Sequence, residues 1–251
     1  MPASGLYRAF VLLELVLGAA TFVGLRLIRA PYGRYLRRGW GPAVPARLGW
    51  LLMESPACLV FAGVYAFGPH RGDPVPLVLL GLWQVHYVHR AFVYPRLLRG
   101  GTRMPLTVVS LAVTFNVLNA SINARWVSAG GDYPLRWFAD PRFLAGAVLF
   151  GAGLVLNLSA DHTLRSLRGP GETGYKVPRG GAFRWVSCPN YLGEIVEWSG
   201  WALATWSVPG LAFAVYTAAN LVPRALDHHG WYRERFVDYP PGRRALIPYV
   251  L

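Results

Sequence analysis

Polar side chains recur at helical spacing within five otherwise apolar stretches of the sequence. Residues three, four or seven positions apart share one face of an α-helix, so each set forms a single polar stripe. The five stripes are Tyr87, Arg90 and Tyr94; Asn116, Asn119 and Asn123; Asn157, Asp161, Arg165 and Arg168; Asn190, Glu194 and Glu197; and Arg224, His228, Tyr232 and Arg235. Polar groups in a membrane are costly unless they face a bundle interior or a cavity, so five stripes together predict a shared polar interior. Each stripe taken alone is also explained by hydrogen bonds between helices.

The elements that would position these stripes are membrane helices. The chain of 251 residues is 54% hydrophobic, with a mean hydropathy of +0.32, and only 15% of its residues are charged, against roughly 25% in a soluble domain. Seven apolar stretches are candidate spans: Leu6–Leu27, Leu48–Phe67, Pro76–Tyr94, Pro105–Val127, Phe143–Thr163, Tyr191–Trp206 and Pro209–Asp227. Only Ser207 and Val208 separate the last two, which predicts a tight helical hairpin. We therefore predict an all-α, polytopic membrane protein with a single domain over residues 1–251, and we expect a monomer.

The basic residues are distributed unevenly along the chain. Nineteen of the 25 Lys and Arg residues follow the first, third, fifth and seventh spans. The positive-inside rule then places the N-terminus outside and the C-terminus in the cytosol. Topology therefore accounts for the net charge of +13, and no nucleic-acid partner is expected. The 24 Arg residues against one Lys are typical of a GC-rich bacterial genome, in which case the protein lies in the inner membrane.

The striped residues lie toward the cytosolic ends of their predicted helices. Glu54 is about six residues into the second span, roughly 9 Å deep at ~1.5 Å per residue. These positions predict one cavity that opens to the cytosol. Its wall is rich in arginine, which suits a ligand that carries phosphate.

Two short motifs suggest other chemistry but lack the context for it. Residues 169–174, GPGETG, match G-x-G-x-x-G, yet a membrane helix precedes them and no βαβ unit follows, so they are interpreted as a loop. Asp227, His228 and His229 have no spaced Cys or His partners, so no metal site is predicted.

The remaining histidines and cysteines are interpreted as structural. His86 and His89 are expected to pack or to form hydrogen bonds. Cys58 lies in an apolar span and Cys188 in a predicted cytosolic loop, so both are expected to be free thiols.

Three segments of the sequence resemble the steroid 5α-reductase family. They are HYVHRAFVYP (86–95), NLSADHTLRSLRGPGETGYKVPRGGAFRWVSCPNYLGEIVEWSGWALATWSVP (157–209) and RALDHHGWYRERFVDYPPGRRALIPYVL (224–251). They occur in the family's order and are densest toward the C-terminus. The resemblance implies seven membrane helices and an NADPH-dependent reduction of the C4–C5 double bond of 3-oxo-Δ4 steroids. It also implies that residues 1–127 mainly hold the steroid and residues 143–251 mainly hold NADPH.

The resemblance further implies which residues form the site. Glu54 and Tyr87 match the family's catalytic glutamate and tyrosine. The positions that match its NADPH-binding residues are Asn157, Asp161, Arg168, Tyr175, Asn190, Glu194, Arg224, His228 and Tyr232. Arg103 is expected to match a basic phosphate contact, although the loop lengths differ there. Met53 stands where a member of the family has glutamine, which affects inferences about substrate preference but not about the chemistry.

The implied chemistry requires hydrogen-bond donors at the substrate carbonyl. An enone accepts hydride at its β carbon only when the carbonyl oxygen can take up negative charge, and donors aimed at that oxygen stabilise the transition state. Tyr87 can donate its phenolic hydrogen, and burial favours a neutral Glu54 that can also donate. We predict that both hold the C3 carbonyl while NADPH delivers hydride to C5 and water protonates C4. The arginine-rich wall favours NADPH over NADH.

Two rival interpretations remain open on the sequence. A membrane methyltransferase of the isoprenylcysteine or phospholipid type, using S-adenosylmethionine, has similar C-terminal helices and a turn like PNYLGE at 189–194. That donor carries no phosphate and would not require so many arginines. The second rival is a transporter or receptor without enzymatic activity. The partners expected under the first interpretation are a steroid or another enone lipid, together with membrane lipids.

Overall fold

Eight α-helices make up most of the chain that the computed structural model describes, which is residues 4–98, 103–169, 172 and 174–251. They are α1 (Gly5–Leu27), α2 (Ala46–Ala66), α3 (Pro74–Val88), α4 (Tyr94–Leu97), α5 (Leu106–Arg125), α6 (Pro141–Ser166), α7 (Pro189–Thr205) and α8 (Val208–Arg235). A π-helical segment, His89–Val93, joins α3 to α4, and a second, Trp126–Gly130, extends α5. Short 3₁₀ helices cover Gly33–Tyr35, Leu135–Ala139 and Gly181–Arg184. Strands β1 (Ala43–Pro45) and β2 (Arg103–Pro105) pair antiparallel, with Val44 opposite Met104.

The helices fall on the seven predicted spans, with α3 and α4 together supplying the third. Among the described residues, four helical stretches are long and apolar enough to cross a membrane: Gly5–Leu27, Ala46–Ala66, Leu106–Gly130 and Pro141–Ser166. Leu12, Leu59, Leu111 and Val155 on these helices are between 61% and 66% exposed, so their outer faces present apolar surface. The prediction of a mainly helical protein with helices able to span a membrane is confirmed, whereas the number seven and the orientation stay predictions.

The turn between α7 and α8 is as tight as predicted. Trp206 ends α7 in the left-handed conformation, with φ 43°. Ser207 then caps α8, because its Oγ accepts a hydrogen bond of 3.0 Å from the backbone nitrogen of Gly210. Such a cap stabilises a helix by about 1 kcal/mol. The turn fixes α7 against α8, so that Tyr191 near the start of α7 reaches Arg224 near the end of α8.

Helices α6 and α7 approach each other through glycines. A Cβ atom added to Gly153 would collide with the backbone nitrogen of Glu197, and one added to Gly193 would collide with the backbone nitrogen of Asn157. Small residues allow such close backbone contact between membrane helices. As a result, the polar stripes of α6 and α7 face each other directly.

An aromatic cluster forms the centre of the bundle. The Trp83 ring lies 4.5 Å from Phe61, 5.3 Å from Trp198 and 5.2 Å from Trp201, measured between ring centroids. Trp83 is fully buried, and its indole nitrogen donates to the carbonyl oxygen of Ala57 at 2.9 Å. Aromatic pairs of this kind add roughly 0.5–1.5 kcal/mol beyond the area that they bury. The cluster therefore gives α2, α3 and α7 a rigid common contact.

Candidate active site

An inner cavity of about 510 Å³ lies between α1, α2, α3, α5, α7 and α8. Small-molecule sites usually measure roughly 300–1,000 Å³ and are mostly apolar, so this cavity has a suitable size. Its lining includes Leu17, Thr21, Trp50, Met53, Glu54, Tyr87, Leu111, Phe115, Phe213 and Tyr216. Glu54 and Tyr87, which are far apart in the sequence, thus line the same cavity.

The Glu54 side chain is held from α5. Asn116 Nδ2 donates to the carbonyl oxygen of Met53 at 2.6 Å and also lies 3.4 Å from Glu54 Oε2. The amide is therefore anchored to the backbone of α2, and it fixes the carboxyl group at the cavity wall. Asn116 is the member of its stripe that lines the cavity.

The Tyr87 ring is fixed by the aromatic cluster. Its centroid lies 4.9 Å from Trp83, 5.5 Å from Trp198 and 4.9 Å from His86. The phenolic oxygen makes no hydrogen bond to any residue of the described chain, although Tyr87 lines the cavity. The ring is thus immobilised while its hydroxyl group is available to a molecule in the cavity.

His86 and Glu197 form a buried pair beside Tyr87. His86 Nδ1 lies 2.8 Å from Glu197 Oε1, and the two side chains are 4% and 0% exposed. The sequence indicated a hydrogen-bonding role for His86, but it did not identify the partner. The two residues are 111 positions apart, and no local pattern reveals which faces of α3 and α7 meet.

Arg90 connects three helical segments at the wall of the inner cavity. Its guanidinium lies 3.2 Å from Asp161 Oδ2 on α6 and 3.8 Å from Glu194 Oε2 on α7. Asp161 Oδ1 in turn accepts a hydrogen bond of 3.1 Å from Asn190, whose carbonyl oxygen accepts one of 2.9 Å from Asn157. Arg90 and Glu194 line the inner cavity, whereas the other three form contacts between helices behind it.

Part of the predicted polar interior is structural. Asn123 Nδ2 donates to Asn119 Oδ1 at 2.8 Å, and Asn123 Oδ1 accepts a hydrogen bond of 2.9 Å from the indole nitrogen of Trp201. The expectation that every striped residue lines one cavity is therefore wrong for Asn119 and Asn123, as it is for Asn157, Asp161 and Asn190. Asn123 thus joins Asn119 to α7, while Asn119 Nδ2 is buried without a hydrogen-bond partner in the described residues.

An outer cleft of about 190 Å³ adjoins the inner cavity. The two spaces share four lining residues, Ala30, Tyr32, Tyr191 and Arg224. The remaining lining residues of the cleft are Gly33, Arg34, Tyr35, Tyr175, Asp227 and His228. An apolar inner space and a cationic outer one therefore lie next to each other and share part of their walls.

Hydrogen bonds and ring stacking order the cleft. Arg224 donates to the Tyr191 hydroxyl oxygen at 2.9 Å, and that oxygen lies 3.1 Å from His228 Nε2. His228 stacks on Tyr35 with centroids 5.5 Å apart and planes 6° from parallel. Burial raises the pKa of Tyr35, in the loop after α1, to about 12, so this phenol stays protonated at neutral pH.

Arg34 is the cation that the sequence did not assign to the site. Its guanidinium carbon lies 4.8 Å, 4.4 Å and 4.8 Å from the ring centroids of Tyr175, Trp231 and Tyr232, and the guanidinium donates to the Tyr232 hydroxyl at 3.4 Å. The sequence placed Arg34 only in a basic loop. Its Nη1 atom, like His228 Nδ1, is buried without a hydrogen-bond partner in the described residues.

Two other predicted cofactor contacts, Arg168 and Arg103, are not among the residues that line the cleft. Arg168 stacks on Tyr175 at 4.9 Å. Arg103 is exposed on β2, where it donates to the carbonyl oxygen of Ala43, and it lines neither space. The predicted loop at 169–174 lies partly outside the described residues, since 170, 171 and 173 are not among them.

Both cysteines are free thiols, as predicted. Cys188, directly before α7, is buried, and burial raises the pKa of its thiol to about 12. A thiol in this state is a poor nucleophile.

Fold and site together define a helical membrane protein with an apolar internal cavity joined to a cationic cleft. The family model for 3-oxo-5-alpha-steroid 4-dehydrogenase matches residues 102–251. Over 250 residues the chain is 44% identical to 3-oxo-5-alpha-steroid 4-dehydrogenase 1 of Bos taurus. This alignment covers 98% of this chain and 97% of the relative. The chain is 44% identical over 253 residues to steroid 5-alpha-reductase DET2 of Arabidopsis thaliana (97% and 96%), and 41% identical over 247 residues to the Homo sapiens type 1 enzyme (98% and 95%).

The chain therefore belongs to the 3-oxo-5-alpha-steroid 4-dehydrogenase family. This confirms the resemblance found in the sequence, the oxidoreductase class and the link to steroid metabolism. Membership in a dehydrogenase family also supports a nicotinamide cofactor. These matches do not support the methyltransferase or the transporter interpretation.

Proposed function

We propose that this chain reduces the C4–C5 double bond of a 3-oxo-Δ4 steroid, or of a related enone lipid, with NADPH as the reductant. One observation carries the proposal: Glu54 and Tyr87 line an apolar cavity that adjoins an arginine-lined cleft. The names of the relatives support the same substrate class.

Glu54 and Tyr87 act on the carbonyl of the substrate. Both would donate hydrogen bonds to the C3 oxygen, where negative charge develops as C5 is reduced. Stabilisation of such charge by fixed donors is usually the largest catalytic contribution. Asn116 restrains Glu54, and the rings of Trp83 and Trp198 restrain Tyr87, so neither donor needs to reorganise during the reaction.

The outer cleft suits the phosphates of a dinucleotide. When bound, NADPH would supply hydride to C5. The buried, unpartnered nitrogen atoms of Arg34 and His228 are donors that lack an acceptor, and phosphate oxygens are such acceptors. Arg224 lines both spaces and would hold the cofactor where they meet, while Tyr175 and Arg168 would support its outer end.

The two halves of the chain would divide these tasks unequally. Most residues that line the inner cavity come from 1–127, which supports the assignment of the steroid to that half. The two halves contribute equal numbers of lining residues to the cleft, so the cofactor would contact Tyr32 to Tyr35 as well as residues after 143.

We propose that all seven helical units cross the membrane, with the N-terminus outside and the C-terminus in the cytosol, on the basis of the charge distribution.

NADPH oxidation by the purified protein in detergent, with testosterone or progesterone present, tests the proposal. We expect steroid-dependent oxidation and a 5α-reduced product, a preference for NADPH over NADH, and strongly reduced turnover in Glu54→Leu, which has no hydrogen-bond donor. Absence of steroid-dependent oxidation with every 3-oxo-Δ4 substrate, or full activity in Glu54→Leu, would contradict it.

A further inference from the structure

A histidine–glutamate pair lies against the wall of the inner cavity and has no part in the mechanism above. Trp198 packs edge-on against the His86 ring at 4.7 Å, and Glu197 is completely buried. A buried ion pair costs desolvation energy and is often no more stabilising than apolar residues of the same size. Packing alone therefore explains this pair poorly.

The hydrogen-bonding groups of the pair are only partly satisfied by each other. Glu197 Oε1 accepts a hydrogen bond from His86 Nδ1, whereas Glu197 Oε2 has no partner in the described part of the chain. With Nδ1 engaged, Nε2 is the remaining ring nitrogen, and no described residue hydrogen-bonds to it. His86 lines the inner cavity, so Nε2 is available to a molecule bound there.

The reaction proposed above needs such a group. Reduction of an enone adds a hydride at one carbon and a proton at its neighbour, and Glu54 and Tyr87 are occupied at the carbonyl oxygen. We propose, resting on the proposed function, that His86 donates the proton to C4 through Nε2 and that Glu197 is the positioning residue that holds its ring.

The step balances in atoms and electrons. Hydride brings its electron pair to C5, and the π pair of the C4–C5 bond moves toward the carbonyl to give an enolate. When the carbonyl re-forms, an electron pair at C4 makes the new bond to the Nε2 proton of imidazolium. The neutral imidazole then takes a proton from water in the cleft, while its Nδ1–H group remains hydrogen-bonded to Glu197.

The position of His86 suits this step. Its ring centroid is 4.9 Å from that of Tyr87, which would hold the C3 oxygen, and C4 is bonded directly to C3. Both side chains line the same cavity, so a substrate whose carbonyl is held by Tyr87 would lie in the space that His86 also lines.

Carboxyl groups near His86 are placed to stabilise an imidazolium. The titratable and charged groups that face it are Tyr87 on α3, His89 and Arg90 on the π-helical segment, Glu194 and Glu197 on α7, and Glu54 on α2. The Arg90 guanidinium is paired with Asp161 and Glu194, which offsets its repulsion. Glu197 lies nearest and stabilises an imidazolium directly.

The test compares His86→Gln with His89→Gln, a change at the next histidine along the chain, which lines neither space. Steroid and NADPH are supplied in D₂O, and the deuterium at C4 of the product is located by NMR. We expect deuterium on a single face of C4 with the unmodified protein and with His89→Gln. In His86→Gln we expect kcat to fall by about 10²–10⁴-fold, the usual contribution of a general acid, and deuterium on both faces.

A loss of folding would not produce this stereochemical result. Unlabelled product incubated with the enzyme in D₂O controls for later exchange at C4. A His86→Gln variant that keeps both its turnover and its single-face labelling would overturn the proposal.

Glu197→Gln provides a second, milder test, since glutamine preserves a hydrogen bond to the ring but not the charge. We expect kcat to fall while the KM for steroid stays constant; an unchanged kcat would refute the positioning role. If the unmodified protein shows no steroid-dependent NADPH oxidation, the proposed function fails. If it is active and His86→Gln is equally active and stereospecific, only the inference about His86 fails.

Discussion

Replacement of Tyr87 by phenylalanine removes one oxygen atom from the cavity wall and nothing else. The ring keeps its contacts with Trp83 and Trp198, at 4.9 Å and 5.5 Å. The hydroxyl makes no hydrogen bond to the described chain, so its removal leaves no protein group unsatisfied. We therefore expect thermal unfolding in detergent to be almost unchanged.

Turnover should respond very differently. Loss of one donor to a developing oxyanion usually lowers kcat by about 10²–10³-fold, or roughly 2.7–4 kcal/mol of transition-state stabilisation. Since Glu54 would remain on the same oxygen, residual activity should be measurable. The assay is NADPH oxidation at saturating steroid, with the product identified by mass spectrometry.

Tyr65→Phe is the matched control. Tyr65 is as buried as Tyr87, at 4% exposed, but its hydroxyl donates to the carbonyl oxygen of Arg71 at 3.1 Å and lies outside the cavity lining. This variant should lose about 1 kcal/mol of stability, the typical net value of a hydrogen bond, and keep its turnover. Full turnover in Tyr87→Phe, or equal losses of turnover in both variants, would refute the role assigned to Tyr87.

Three further changes probe the cleft, the helix packing and a surface cap. Arg34→Met should raise the KM for NADPH about 10-fold or more, since a charge-assisted hydrogen bond contributes roughly 1.5–3 kcal/mol; an unchanged KM would remove Arg34 from the site. Gly153→Val should destabilise the fold by about 3 kcal/mol or more in thermal unfolding, whereas Gly151→Val, with no atom near its Cβ position, should be tolerated. Hydrogen bonds from Arg142 lower the pKa of Asp140 from 3.8 to about 2, so they stabilise the fold above pH 3.8 and are lost as the pH falls through about 2. The difference in melting temperature between the unmodified protein and Asp140→Asn should therefore shrink over that interval, and a constant difference would contradict this reasoning.

Much of the fold is predictable because helix formation in an apolar chain is local. Each predicted span coincides with a helix. The hairpin at Ser207 follows from the sequence because only two residues separate the last two predicted spans, which is too few for a longer loop. Glu54 and Tyr87 were selected as candidate catalytic residues through the resemblance to a family, and both line one cavity in the structure. The π-helical segment His89–Val93 could not be predicted, since one extra residue in a turn leaves no signature in the hydrophobic pattern.

The sequence by itself determined the helices, their polar faces and the family of the protein, because helical periodicity and motif order are properties of neighbouring residues. Only the tertiary structure decided which polar faces meet. Asn123 bonds to Trp201 and to Asn119 and does not line the cavity, Arg34 lines the cleft, and His86 pairs with Glu197 on α7. These outcomes depend on how each helix is rotated about its axis, and that rotation is set by side-chain packing and glycine contacts between helices distant in the chain.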